Sequence, residues 1–109
     1  MANDIAWLAG LLEGECSFEM SKNSKTTVIP RLRLAMLDLD IIERVAPVFN
    51  SKINTYKTPK GDKTMYRVTC AKRSVLEPLL KEIYVYLGNR RKQKVDIMLK
   101  YYTDKEYVS

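Results

Sequence analysis

With 109 residues the chain has room for one domain with a core of its own, residues 1–109, and not for two. A hydrophobic fraction of 46% is ordinary for a globular protein, and no apolar run approaches the roughly 18 residues of a membrane span, so no membrane contact is expected. The formal net charge of +6 on so short a chain points to an acidic partner such as phosphate, and the absence of histidine removes Ser-His-Asp and Cys-His hydrolase chemistry.

Asn3 or Asp4 is a candidate N-cap for a first helix from Ile5 to about Glu13, apolar on nearly every side, as in a helix buried all round. Ala6, Gly10 and Gly14 recur in it at four-residue spacing. A mid-helix glycine is destabilising by about 1 kcal/mol relative to alanine, so Gly10 needs a packing reason. The simplest is another helix in very close approach, with a crossing inside one chain as the plain version. From Glu15 the period changes to two. Cys16, Phe18 and Met20 alternate with Ser17, Glu19 and Ser21, the pattern of a strand with one buried face. After a polar, lysine-bearing loop, Leu32, Leu34 and Met36 alternate with Arg31, Arg33 and Ala35, which predicts the hairpin partner.

Asp38 or Asp40 can cap a helix carrying Ile41, Ile42, Val45, Val48 and Phe49, which Pro47 should kink or end early. Strands are expected around Lys52 to Lys57 and Thr64 to Cys70, joined by a turn through Pro59, Lys60, Gly61 and Asp62. Ser74 and Glu77 have capping-box spacing, which puts Pro78 in a first turn where proline is tolerated, and Gly88 is positioned to close that helix. A last helix from near Asn89 shows Val95, Met98, Leu99 and Tyr102 at helical spacing. The order αββαββαα predicts an α+β fold: two helix-hairpin units sharing a four-stranded antiparallel sheet, helices on one face and a polar, basic face left open. With two cysteines, Cys16 and Cys70, and no CxxC pair, neither a disulfide framework nor a structural zinc site has support. The apolar N-terminal stretch has no basic region before it and carries its own acids, unlike a secretory signal, so a reduced, cytoplasmic setting is expected.

The open face would present Glu19, Ser21, Asn23, Lys25, Arg31 and Arg33 from the first hairpin. The second would add Lys52, Asn54, Tyr56 and Arg67, with Lys57 near its loop. A two-stranded ribbon fits the DNA major groove, where Arg reads guanine, Asn reads adenine and flanking lysines meet phosphates. Charge placement supplies a second signal. Glu13 and Glu15 stand at the C-terminal end of the first helix, where the macrodipole is negative, and Arg90, Arg91, Lys92 and Lys94 crowd the N-terminus of the last, where it is positive. Two opposite violations in one small domain point to function. A divalent cation would relieve the first and DNA phosphate the second.

The run Leu8-Ala9-Gly10-Leu11-Leu12-Glu13-Gly14-Glu15 resembles the signature helix of the LAGLIDADG homing endonucleases, with Glu13 and Glu15 at its two acidic positions. Leu37-Asp38-Leu39-Asp40-Ile41-Ile42 and Tyr86-Leu87-Gly88-Asn89-Arg90-Arg91-Lys92-Gln93 resemble further family segments in the expected order, so the resemblance covers essentially the whole chain. One motif copy resembles the members that act as homodimers. The resemblance implies a saddle across a long, nearly palindromic double-stranded DNA site, with two signature helices packed through Ala6, Gly10 and Gly14. It implies Glu15 as the catalytic acid and, with Gly14, as the site of Mg2+, for which Mn2+ can substitute and Ca2+ would bind without cleavage. Arg90 and Lys92 would stand near the scissile phosphate, while Glu13 would support the helix junction and Asp38 would hold a metal-bound water. Both acids are Glu where the family usually has Asp, and Cys16 replaces the common following glycine.

The chain contains no Asp-X-Lys or Glu-X-Lys triplet, the usual core of restriction-type nucleases. The alternative is a non-catalytic DNA- or RNA-binding module on the same scaffold, a regulator or a splicing maturase. Retention of both acids favours cleavage, because a pure binder gains nothing from negative charge beside phosphates.

Overall fold

A computed structural model describes residues 2–22 and 27–108. The elements follow in the order α1 (Ala2–Glu15), β1 (Cys16–Lys22), β2 (Val28–Met36), α2 (Leu39–Phe49), β3 (Asn54–Lys57), β4 (Thr64–Cys70), α3 (Arg73–Ile83), a 3-10 turn (Tyr84–Tyr86) and α4 (Asn89–Val108). The four strands form one antiparallel sheet in the order β1-β2-β4-β3, so the two hairpins meet along β2 and β4. The α+β reading and the order of elements are those expected from the alternation of residues.

Register puts Cys16, Phe18, Met20, Leu32, Leu34, Met36, Tyr66 and Val68 on one side, while Ile29, Tyr56 and Met65 fall on the other. Cys16 pairs with Leu34, Phe18 with Leu32, Leu34 with Val68 and Leu32 with Cys70, and all six are buried. Against them lie Leu8 and Leu12 of α1, Ile42, Val45 and Phe49 of α2, and Val95 and Met98 of α4, while Leu76, Leu80 and Ile83 of α3 extend the same core. Burying a side chain of this size stabilises by about 1.5–3 kcal/mol, and each falls at the two- or 3.6-residue spacing that makes its element amphipathic. Arg44 of α2 lies 3.7 Å from the ring centroid of Trp7 and 3.8 Å from Asp4, joining α2 to α1. Pro30 stands in β2 opposite Met20, where the β4 ladder, which begins at Leu32, has not yet started. Its missing N–H therefore removes no bond to β4. Burial pushes the thiols of Cys16 and Cys70 up to about 12 and about 11, so at neutral pH both are small apolar groups of the core.

Several local expectations are corrected. α1 begins at Ala2, so Asn3 and Asp4 lie inside the helix rather than before it, and it extends to Glu15. It is not buried all round: Leu8, Ala9 and Leu12 face the core, whereas Ala6, Gly10 and Gly14 are exposed. α2 continues past Pro47 to Phe49 and closes at Asn50 in the left-handed region (φ 51°), where Ser51 N–H bonds the Ala46 carbonyl at 3.0 Å. Asp38 precedes α2 but caps it through its backbone carbonyl alone, bonded by Ile41 and Ile42 N–H at 3.2 Å each. β3 starts at Asn54 and leaves Lys52 in the preceding connection. α3 starts at Arg73 after Lys72, so Ser74 is not its cap and Pro78 lies in the second turn. Glu77 instead accepts from Arg73 Nε at 3.0 Å, an i,i+4 ion pair taking the place of the capping box. Gly88 does not close α3, which ends at Ile83, and it stands immediately before α4.

Candidate functional site

The acids at the end of α1 and the cations at the start of α4 meet in space. Glu13 Oε1 accepts the backbone N–H of Gly88 at 2.5 Å. Gly88 is the residue before α4, and its carbonyl receives the Lys92 N–H at 2.9 Å. Glu13 thus does from another helix what the glutamate of a capping box does from within, at the positive end of α4. Arg91 Nε reaches back to the Glu13 carbonyl at 3.3 Å and lies 3.5 Å from Glu13 Oε2. Each charge is misplaced on its own helix and well placed on the other. A Cβ at Gly88 would stand 3.3 Å from Glu13 Oε1, a tight contact that the Glu13 carboxylate would have to move by a few tenths of an ångström to admit. Arg91 also lies 5.2 Å from the Phe18 ring centroid.

This narrows the expectation that metal and DNA relieve the two clusters separately, because Glu13 and Arg91 neutralise each other and leave Glu15 and Arg90 as the groups to which it applies. From sequence Gly88 was expected to close the preceding helix and Arg91 to be one of several cations meeting phosphate; the signal for their contact with Glu13 was the coincidence of acids at one helix end and cations at another. Glu13→Ala is expected to lower stability by about 1–2 kcal/mol, since it leaves the Gly88 N–H and Arg91 without their acceptor at a partly exposed site. The thermal midpoint should fall by about 5 °C or more, with partial recovery in Glu13→Gln; an unchanged midpoint in calorimetry would show that the junction contributes nothing.

Glu15 is left over. It is exposed at the last position of α1 and makes no hydrogen bond or ion pair among the described residues. Arg90 and Asp38 are likewise exposed and without such partners, while Lys92 is half-buried with Nζ 5.5 Å from the Tyr84 ring centroid. The structure therefore does not join Glu15, Asp38, Arg90 and Lys92 by direct contacts within one chain. Among the described residues no group of three or more His, Cys, Asp or Glu side chains converges as a metal cage. One free carboxylate beside the last carbonyls of a helix still fits Mg2+, which commonly takes one or two carboxylates together with waters and substrate phosphate.

Nothing among the described residues lies within 4 Å of a Cβ built at Gly10 or Gly14 on the exposed side of α1, so no crossing among them explains these glycines.

On the open sheet face, register places Ser17, Glu19 and Ser21 beside Arg33, Arg31 and Ile29, then Thr69 and Arg67 of β4, then Asn54 and Tyr56 of β3. Glu19 Oε1 accepts Arg31 Nε at 3.0 Å, Arg31 Nη2 at 2.8 Å and Ser21 Oγ at 2.6 Å, and Oε2 accepts Arg33 Nη2 at 3.3 Å. Partial burial pushes the Glu19 carboxyl up, but the hydrogen bonds from Ser21 and Arg31 and the charges of Arg33 and Arg31 together outweigh it and hold its pKa below the usual value. The Arg67 guanidinium lies 5.3 Å from the Tyr56 ring centroid. Lys57 has the opposite register to Asn54 and Tyr56, which puts it on the other side of β3, where Nζ donates to Thr64 Oγ1 at 2.8 Å. Lys52 is exposed ahead of the strand. Asn23 and Lys25 lie outside the described residues.

The four-stranded antiparallel sheet with its helices matches the fold of solved LAGLIDADG homing endonucleases. The group I intron-encoded homing endonuclease I-CeuI, in complex with DNA, aligns over 100% of this chain and 59% of its own, with a TM-score of 0.70 at 18% identity. The homing endonuclease I-CvuI, in complex with its target in the presence of 2 mM Ca, aligns over 91% of this chain and 65% of its own, with a TM-score of 0.67 at 18% identity. For the LAGLIDADG meganuclease I-AabMI bound to uncleaved DNA the shares are 96% and 39%, with a TM-score of 0.69 at 15% identity. The chain thus spans less than two thirds of the I-CvuI and I-CeuI chains it matches. No family model matches the sequence. A search among curated proteins likewise found no match. Among the described residues no helix is long and apolar enough to cross a membrane.

Proposed function

We propose that the chain acts as a single domain and pairs with a second copy to form a site-specific homing endonuclease that hydrolyses double-stranded DNA with a divalent cation. The observation that carries this reading is the division of labour between the two motif acids. Glu13 is occupied by Gly88 and Arg91, while Glu15 stands exposed without a partner at the end of the same helix. A carboxylate in that position, next to the negative end of a helix dipole, is disfavoured unless a cation joins it.

Pairing through the exposed face of α1 supports the same reading, because open space over Gly10 and Gly14 allows two helix backbones to approach closely. It would bring the two Glu15 residues near one axis. The sheet faces would then lie along one long, nearly palindromic site, since two-fold protein symmetry is mirrored in the DNA it reads. Mg2+ held by Glu15 and the Gly14 carbonyl would supply acidification of the attacking water and neutralise charge on the phosphate. Arg90, exposed in the first turn of α4, would bind the scissile phosphate from the other side, with Lys92 one position beyond Arg91 adding to the field. Arg31, Arg33 and Arg67 would face the groove, with Lys52 and Lys57 at the flanks.

Selection of cleaved sites from a randomised duplex pool in Mg2+ tests activity and target together, with Ca2+ as the condition for binding without cutting. A recovered site of long, nearly palindromic form is expected. Binding in Ca2+ with no cleavage of any sequence in Mg2+ would leave a nucleic-acid-binding module. In the same assay log Kd should rise with log salt with a slope of about 5 or more, because two basic sheet faces displace many counterions from phosphate. A slope near zero would contradict the assignment of the open face.

A further inference from the structure

Glu19 places a carboxylate in the middle of the face that would meet DNA, where it lowers the attraction of that face for phosphate. Its geometry supplies a reason. It lies directly opposite Arg31 across the hairpin, and its side chain is 22% exposed against 30% for Arg31 and 40% for Arg33. Ser21 and Arg31 both donate to Oε1 of the carboxylate, and Arg33 donates to Oε2. Arg31 donates through Nε and Nη2 to the single oxygen Oε1, which uses one edge of its planar fork. The edge formed by Nη1 and the second Nη2 hydrogen makes no hydrogen bond among the described residues. Two parallel N–H donors at that spacing match the O6 and N7 acceptors that guanine presents in the major groove.

We infer that Glu19 is a positioning residue that holds Arg31 as a preformed guanine-reading fork, so that the hairpin gives up some general affinity for DNA in return for base selectivity. The inference rests on the reading of the chain as a binder of double-stranded DNA. A free arginine side chain samples many rotamers and meets phosphates as readily as bases, whereas one clamped along its Nε edge has a single direction in which its remaining donors point. Arg33, tethered through Nη2 alone, is less constrained. The carboxylate also reduces the net charge of the trio from +2 to +1, which weakens contact with every sequence equally.

The test uses the full chain and a pool of randomised duplexes bound in Ca2+, with enriched sequences read for the parent, Glu19→Gln, Ser21→Ala, Arg31→Lys and Arg31→Ala. The parent should show a guanine preference, once per half-site, that Arg31→Ala and Arg31→Lys abolish. Glu19→Gln should bind bulk duplex as tightly as the parent or a few-fold more tightly, with a steeper salt dependence, while the guanine preference at that position falls about fivefold or more. Ser21→Ala should move it in the same direction by less. A merely structural Glu19 would instead weaken binding to all sequences together and leave the base profile unchanged. That result, or an Arg31→Ala profile identical to the parent's, would overturn the inference while leaving DNA binding intact. If the parent enriches no duplex under any salt condition, the DNA-binding reading itself fails, and the inference with it.

Discussion

Glu15→Gln is expected to reduce DNA cleavage by about 100- to 1,000-fold or more while leaving fold and binding in place. Glutamine keeps the volume and most of the hydrogen-bonding capacity of the side chain but removes the charge on which cation coordination depends. Because Glu15 lies exposed at the helix end and its side chain makes no hydrogen bond or ion pair among the described residues, its replacement should leave the core undisturbed. DNA affinity should hold or rise slightly, since a negative charge facing phosphate has gone, and added Mg2+ should not restore cutting. Glu13→Gln provides the contrast: it should cost stability first, through the Gly88 and Arg91 contacts. Arg90→Ala should slow cleavage with metal binding intact. Nicking in Mg2+ and gel shift in Ca2+ on one selected site measure all three, and a Glu15→Gln protein that cuts as fast as the parent would refute the metal assignment.

The second large effect concerns assembly. Gly10→Leu is expected to give a folded monomer in sedimentation, with the loss of cleavage that follows from separating two half-sites. The chain itself should still fold, because nothing among the described residues lies within 4 Å of a Cβ at Gly10 and leucine is a better helix former than glycine by about 0.8 kcal/mol. Helix content by circular dichroism should therefore be kept. Gly10→Ala adds a single methyl group and should weaken pairing less. Dimers of the leucine variant equal in strength to the parent's would place the interface elsewhere.

Much of the architecture was legible because it is written in local periodicity. Alternation at Cys16, Phe18 and Met20 and at Leu32, Leu34 and Met36 requires one strand face to be buried, and the same faces are buried in the sheet. The spacing of Val95, Met98 and Tyr102 likewise requires a helix with one inner stripe, and all three are buried in α4. The motif acids at the end of α1 were visible for a related reason, since charge at the wrong helix end can be recognised without a partner in view.

What remained hidden depends on groups far apart along the chain. α1 reads as apolar all round because hydropathy does not distinguish Leu8, Ala9 and Leu12, which pack inward, from Ala6, Gly10 and Gly14, which are exposed. The Ser74 capping box was a valid local pattern, yet the helix starts one residue earlier with Glu77 bound to Arg73. Only the assembled sheet, through the Leu34–Val68 register, brings the two hairpins edge to edge and sets Arg33 beside Thr69 on the open face. The separate fates of Glu13 and Glu15 were decided at the same level. Two glutamates of identical chemistry, two positions apart, became a structural clamp and a carboxylate without a partner among the described residues because α4 begins beside one of them, and the hydrogen bond that distinguishes them spans 75 residues of chain.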